Sequence, residues 1–262
     1  MIRSIVERLF RDTRFRRRLP AQFGRRPIYL SADSALMYLK PRWALACAPL
    51  FRAASHYAAG AKCVWDIGSN CGVFALAAAH VTGPDSDVLA VEPDPFLAAL
   101  LQQSISHCEN QDRVIHLLST AVSDRQGVAK FLIARRGRSS NCLEDHAHCR
   151  SQSGGVRRVQ YVPTTTLDSL LEDFKPPDMI KIDVEGAELR VLRGARTILA
   201  DVRPRLYVEV GTEDRRAVTQ ELLSHNYRLF NGDGDCRIPI ACCVANTLAL
   251  PAEAGPLPIQ KG

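Results

Sequence analysis

Val64-Trp65-Asp66-Ile67-Gly68-Ser69-Asn70-Cys71-Gly72 decides the fold. An apolar strand ends in an acid and enters a glycine-bearing turn. A helix of small residues, Val73 to His80, follows. The next apolar run, Val88-Leu89-Ala90-Val91-Glu92-Pro93, again ends in a carboxylate. A turn without bulky side chains lets backbone N–H groups approach a ligand, and the following helix aims its positive end at the same place. A carboxylate closing the next strand can accept hydrogen bonds from both hydroxyls of a ribose. The two runs together describe half of a nucleoside-cofactor site.

Spacing separates the cofactors. A dinucleotide site calls for G-x-G-x-x-G, with the pyrophosphate on the helix N-terminus. The loop Gly68-Ser69-Asn70-Cys71-Gly72 lacks that pattern. D-x-G-x-N-x-G is instead the loop shape of S-adenosylmethionine enzymes, where an amino-acid moiety lies against the glycines. The alternative is an ordinary βαβ turn, and Glu92 at the correct place argues against it.

Outward from this half-site, strands and helices alternate. Strands over Cys63–Gly68, Asp87–Glu92 and Val114–Val122, with helices near Gly72–Val81 and Pro95–Cys108, predict right-handed βαβ units and a parallel sheet. The alternation then breaks into strands Val128–Ala134 and Val156–Val162 around a polar loop too long to be a simple connection. A short helix over Leu167–Phe174 leads to strand Met179–Asp183, a helix from about Gly186 to Ala200, strand Arg205–Val210 and helix Glu213–His225. Tyr227–Phe230 and Ile238–Leu250 read as two final strands joined at Asn231-Gly232-Asp233-Gly234. Ahead of the core, a helix capped by Ser31 or Asp33 and a helical stretch from Arg42 to Ala59 are expected.

At 262 residues, 46% hydrophobic and 24% charged, the chain suits one α/β domain. The division expected is a basic arm over 1–26, a catalytic domain over 27–250 (27–60 an extension, 61–250 the sheet core) and a tail over 251–262. The arm holds nine arginines against two acids, a net +7, whereas the whole chain is +6. The basic character therefore belongs to the arm, which reads as separable from the fold. Its Ile2, Ile5, Val6, Leu9 and Phe10 cluster at helical spacing. Such a helix can lie on an anionic membrane surface, pack its stripe on the domain or touch nucleic acid. No apolar run approaches a membrane span or a signal-peptide core, so a cytoplasmic location, peripheral at the membrane if the arm binds there, is expected. The nine cysteines contain no C-x-x-C and read as reduced thiols. Cys142, His146, His148 and Cys149 are zinc-competent residues, but their spacing is not that of a zinc site, and no metal is assigned.

A second constellation lies at Ile180-Lys181-Ile182-Asp183-Val184-Glu185-Gly186. Period two puts Lys181 and Asp183 on one strand face, and ligands bind at the carboxyl edge of such sheets. Glu209 closes the following strand at the same edge. Three carboxylates there invite either a hydroxyl to be deprotonated or a divalent cation. The competing reading makes Asp183 or Glu185 a helix cap.

Taken together, Asp66 to Gly72, Val91-Glu92-Pro93-Asp94-Pro95, Ala121-Val122-Ser123-Asp124, Thr164 to Leu170, Ile180 to Glu188 and Val191-Leu192-Arg193-Gly194-Ala195 resemble the FkbM-type methyltransferases. The likeness covers roughly residues 29–250. It implies a Rossmann-like class I fold: a mostly parallel seven-stranded sheet, helices on both faces and a C-terminal antiparallel hairpin. It implies S-adenosyl-L-methionine as cofactor and a hydroxyl of a sugar or other small molecule as methyl acceptor. Carried over, Asp66, Gly68, Asn70 and Gly72 would hold the methionine part, Glu92 the ribose, and Ala121 and Val122 would border the adenine. Asp183 is the first candidate for the proton-accepting carboxylate, then Glu185 or Glu209. Ser69, Cys71 and the loop 135–158 depart from the pattern. The rivals are a nicotinamide-dependent oxidoreductase, which the loop argues against, and a non-catalytic module docking on RNA or membrane. No aromatic stands at Asp183-Val184-Glu185-Gly186 to clamp a flipped base, which argues against nucleic acid.

Overall fold

A computed structural model describes residues 13–144 and 154–255. The chain opens with an antiparallel pair, β1 (Phe15–Arg18) and β2 (Pro27–Leu30). Short helices α1 (Trp43–Ala46) and α2 (Ala48–Ala53) run into a wide turn at Ala54–Ala58. The core follows: β3 (Cys63–Ile67), α3 (Val73–Thr82), β4 (Asp87–Val91), α4 (Pro95–Ile105) and β5 (Val114–Leu118). Next come β6 (Ala121–Val122), β7 (Gly127–Ala134), β8 (Cys142–Leu143), β9 (Val156–Thr165) and α5 (Leu167–Leu170). The last third is β10 (Met179–Ile182), α6 (Glu188–Arg193), β11 (Arg205–Glu209), α7 (Arg215–Ser224), β12 (Tyr227–Asn231), β13 (Pro239–Ile240) and β14 (Asn246–Pro251).

The main sheet has the order β13-β12-β14-β11-β10-β3-β4-β5. From β5 to β11 every pairing is parallel, and β14 runs antiparallel between β11 and β12. The expected seven strands are all present, with the two residues of β13 added at the edge. All five residues of β3 are buried, as a central parallel strand covered on both faces requires. One core cluster, with Phe23, Trp43, Phe51, Tyr57 and Phe74, fills one face. Another, with Trp65, Ile180, Leu192, Leu206 and Val218, fills the other.

Helix α3 is buried from Val73 through Ala79, and its four alanines let it lie close to the sheet. Two glycines set its approach. Gly72 caps it at φ 83°, and a Cβ there would lie 2.3 Å from a methyl of Leu101. Gly68, at φ 78°, has the backbone carbonyl of Asp183 1.8 Å from where a Cβ would be. Any side chain at Gly68 would push β3 away from the end of β10.

Several expectations need correction. Residues 13–26 are not a detached arm. Phe15 and Arg17 alternate with exposed Arg14, Arg16 and Arg18 along β1, while Leu19 and Phe23 are core residues. Arg18 pairs with Glu109 and Arg26 with Asp112, each at 2.6 Å. The run of arginines masked a period-two strand. The apolar stripe from Ile2 to Phe10 lies outside the described residues. Ser31 and Asp33 do not cap a helix: the Ser31 hydroxyl accepts from Asp33 N–H, and only a 3-10 turn over Leu36–Leu39 follows. The single strand expected over Val114–Val122 breaks after Leu118 and divides between two sheets. Thr120 marks the break, its hydroxyl donating to the Pro163 carbonyl at 2.9 Å. Strand β6 joins a separate sheet of order β6-β9-β7-β8. The helix expected to reach Ala200 is interrupted after Arg193, at Gly194, which lies close to the Ser123 carbonyl, and resumes as a wide helical turn over Ile198–Val202.

The polar loop 135–158 is partly ordered secondary structure. It holds a 3-10 turn, Arg138–Ser140, and strand β8 paired with β7. Cys142 is buried in β8. His146, His148 and Cys149 lie outside the described residues. Among the described residues, no three His, Cys, Asp or Glu side chains are grouped to hold a metal, and no helix is long and apolar enough to cross a membrane.

Candidate active site

Register aligns the carboxyl ends of four strands. Ile67 lies opposite both Val91 and Ile182, and Ile182 lies opposite Val208. The next residues, Gly68, Glu92, Asp183 and Glu209, therefore gather at one edge of the sheet. They border a cavity of about 280 Å³. Gly68, Asn70, Glu92, Ala121, Val122, Asp183, Glu185 and Glu209 all line it. Asp66 and Gly72 do not: Asp66 is fully buried behind the turn, and Gly72 lies beneath it against Leu101.

The turn is held from three sides. The Val91 carbonyl accepts from Gly68 N–H and Ser69 N–H, both at 3.0 Å. Asn70 sits at φ 52°, its side-chain oxygen accepting from Cys71 N–H and from the Ser34 hydroxyl at 2.7 Å. Asn70 is one of the few residue types that tolerates this left-handed conformation. Its own N–H donates to Glu92 Oε2 at 2.8 Å, and Asp94 N–H donates to Oε1 at 2.8 Å. Glu92 is 4% exposed, and burial pushes its carboxyl up to about 8 despite those two donors.

At the other end of the cavity, Lys181 Nζ lies 3.1 Å from Asp66 Oδ1, 3.2 Å from the Gly68 carbonyl and 3.4 Å from Asp183 Oδ2. Burial would lower this ammonium, but Asp66, Asp183 and Glu209 hold it above the usual lysine range. The charge of Asp183 pushes Glu209 up to about 7, although its side chain reaches solvent at the cavity edge. Glu185 is exposed at the rim with φ 54°.

Two segments from which no site residue was expected also enclose it. Met37, Tyr38 and Leu50 come from the N-terminal extension, and Arg138, Ser139 and Asn141 from the loop after β7. Arg138 is the clasp between them. Its Nε donates to Asp33 Oδ2 at 2.7 Å, its NH1 donates to Asp94 Oδ2 at 2.7 Å, and its guanidinium lies 4.4 Å from the Phe96 ring centre. Arg157 adds a second cation on Asp33 at 2.9 Å, and Asn141 donates to Asp94 at 2.7 Å. Burial alone would raise the Asp33 carboxyl, yet its bonds to Arg157 and Arg138 hold it below the usual range. Asp94 caps the helix that follows Glu92, accepting from Phe96 N–H. Its partner Arg138 lies 44 positions away and carried no local signal.

The Ser69 hydroxyl is buried at the cavity wall without a hydrogen-bond partner. Such a group costs free energy unless something in the cavity pairs with it.

A family model for the methyltransferase FkbM domain matches residues 66–229, more than half of the chain. The chain belongs to this family. Hexuronic acid methyltransferase AglP of Haloferax volcanii is 29% identical over 141 residues, which is 53% of this chain and 52% of that protein. The chain thus spans about half the length of the curated relative it matches. Among solved structures, the methyltransferase FkbM of Methylobacillus flagellatus is 17% identical with a TM-score of 0.47, covering 75% of this chain and 44% of that one. Aeropyrum pernix fibrillarin, crystallised with S-adenosyl-L-methionine, is 12% identical with a TM-score of 0.43, covering 78% and 73%. The matched span of the FkbM domain begins at Asp66 and includes the turn, Glu92, Asp183 and Glu209, while the β1–β2 pair and Asp33 precede it.

Proposed function

We propose that this FkbM-domain protein is an S-adenosyl-L-methionine-dependent O-methyltransferase acting on a hydroxyl of a sugar or other small molecule. The observation that carries this reading is one cavity bordered at one end by the Gly68–Asn70 turn and Glu92 and at the other by Asp183 and Glu209. Family membership and a relative named for a hexuronic acid support it.

The residues present fit the cofactor. Glu92 has two carboxylate oxygens with lone pairs to spare for ribose hydroxyls. Gly68, Ser69 and Asn70 would hold the methionine end, where the unpartnered Ser69 hydroxyl gains a bond. Ala121 and Val122 offer an apolar wall for the adenine. Asp66 and Gly72 act from behind, one through Lys181 and the other by letting the turn sit on Leu101. When bound, the cofactor supplies an electrophilic methyl group. The chain then has to place the acceptor oxygen in line at roughly 3 Å and keep water out. Met37, Tyr38 and Leu50 exclude water on the extension side. Asp183 takes the hydroxyl proton as the oxygen forms its new bond to carbon, with Glu209 or Glu185 as the neighbouring acceptors. A carboxylate acceptor would need no base and would be repelled by this rim, so the site suits a hydroxyl.

Incubating the protein with methyl-labelled S-adenosyl-L-methionine and fractionated sugar extracts tests the reading. Base-stable label in a small molecule supports an ether product. Base-labile label points to an ester, and label only in RNA or none at all with tight nicotinamide binding overturns the proposal. Association of residues 1–26 with anionic vesicles, at a cytoplasmic membrane face, is a separate proposal resting on the charge of that segment.

A further inference from the structure

Lys181 sits in a row that crosses four strands. Register places Asp66 on one side of it and Tyr207 on the other, and Leu248 continues the row beyond Tyr207. The ammonium is 3% exposed. A lysine has three N–H donors, and three acceptors surround this one: Asp66 Oδ1, the Gly68 carbonyl and Asp183 Oδ2. Two of these contacts are hydrogen bonds, and the third, to Asp183, is an ion pair at 3.4 Å. The row does not need a charge to pack, since Leu248 fills the same layer two strands along. A buried ion pair of this kind can usually be replaced by apolar residues of similar volume, so it is weak evidence for stability. Two of its three partners border the cavity, one at the cofactor turn and one at the acceptor end.

We propose that Lys181 is a positioning residue that ties the Asp183 carboxylate to the Gly68 turn, so that one buried charge aligns the proton acceptor with the cofactor loop. The inference rests on the methyltransferase reading. Around Lys181 stand Asp66 from β3, Asp183 at the end of β10, Tyr207 and Glu209 from β11, and the Phe74 ring of α3 at 6.0 Å. Glu209 is faced in turn by Asp183, Lys181, Glu188 and Asp233. Glu209 therefore reports on the charge balance that Lys181 maintains. With the ammonium in place it opposes the push from Asp183, and without it that push is unopposed.

The test is a carbon-13 NMR titration of the ligand-free full chain labelled at the glutamate carboxyl, with Glu209 assigned through Glu209→Gln. Lys181→Met should move the Glu209 midpoint up by at least about one pH unit, the size expected for loss of a cation at this range. Lys181→Arg should leave it within about 0.3 unit, because the charge remains. If Lys181→Met does not fold, Asp66→Asn/Lys181→Met removes both members of the buried pair and should give the same upward shift. A Lys181→Met or double-variant curve superimposed on the wild type, or an Arg variant shifted as far as Met, overturns the proposal. Calorimetry with S-adenosylhomocysteine on the same proteins should show weaker binding in the Met variants. Failure of the wild type to bind that probe would sink the methyltransferase reading while leaving the titration result to judge Lys181 on its own.

Discussion

Replacing Glu92 by glutamine should move stability and cofactor binding by separate routes, and pH distinguishes them. Burial raises the Glu92 carboxyl to about 8. A carboxyl raised on folding binds more protons folded than unfolded between its unfolded value, near 4.3, and its folded value. Wild-type stability therefore falls as pH rises through that window, by up to ~1.4 kcal/mol per unit. The glutamine variant has no such titration. Its amide oxygen can accept from only one of Asn70 N–H and Asp94 N–H, and its NH2 faces the other donor. That mismatch costs about 1–3 kcal/mol. Glu92→Gln should thus melt below the wild type at pH 5, and the gap should close toward pH 8. Binding goes the other way. Ribose hydroxyls are held by the ionised carboxylate, so wild-type affinity for S-adenosylhomocysteine should rise with pH up to about 8. The variant should bind roughly 10- to 150-fold more weakly at pH 8, the loss of a charge-assisted hydrogen bond of about 1.5–3 kcal/mol, and show little pH dependence. Calorimetry and melting curves at pH 5, 6, 7 and 8 read both quantities. Equal affinity of the two proteins, or a stability gap that widens with pH, would refute the reasoning.

Asp183→Asn should lower the methyl-transfer rate about 100-fold while S-adenosylhomocysteine affinity changes little, because an amide accepts no proton; full activity would move the role to Glu209 or Glu185. The same assay with a chelator tells proton acceptance by the carboxylate from assistance by a divalent ion. Arg138→Met leaves Asp94 buried and robs Asp33 of one of its two cations, so a loss of ~3 kcal/mol and a melting point lower by ~6–12 °C are expected. Acid sensitivity should also shrink in that variant. The depressed Asp33 carboxyl contributes stability that is present above its unfolded value and lost as pH falls through the folded one. Deleting residues 1–26, harmless if they formed a separate arm, should lower the melting point sharply, since Leu19 and Phe23 each bury a side chain worth about 1.5–3 kcal/mol.

What the sequence made legible was local. The turn from Gly68 to Gly72 is read from neighbours in the chain, because only small residues and a left-handed Asn70 fit between Leu101 and the Asp183 carbonyl. Glu92, Asp183 and Glu209 are read the same way, each being the carboxylate at or just past the end of an apolar strand. The sites where the reading failed are long-range. Arg138 stands in a polar loop where no partner is legible nearby, and its partners lie 105 and 44 positions away. The arginines of residues 13–26 looked like an arm because the acidic partners of Arg18 and Arg26, Glu109 and Asp112, stand far downstream. Charge counted along a chain says nothing about which charges meet.

That failure has a functional side. The motifs mark the proposed cofactor half-site and acceptor edge, but they leave the cavity open on two sides. Asp33 on the extension and Arg138 and Arg157 on the inserted sheet close it, and the fastening is electrostatic rather than apolar. Asp94 joins this clasp to the turn: its side chain takes Arg138, and its N–H donates to Glu92. The loop that departs from the family pattern is therefore coupled through Asp94 to Glu92, the carboxylate proposed to hold the ribose. A change in the loop that weakens Arg138 should be felt as cofactor affinity, even though the proposed acceptor contacts lie at the opposite end of the cavity.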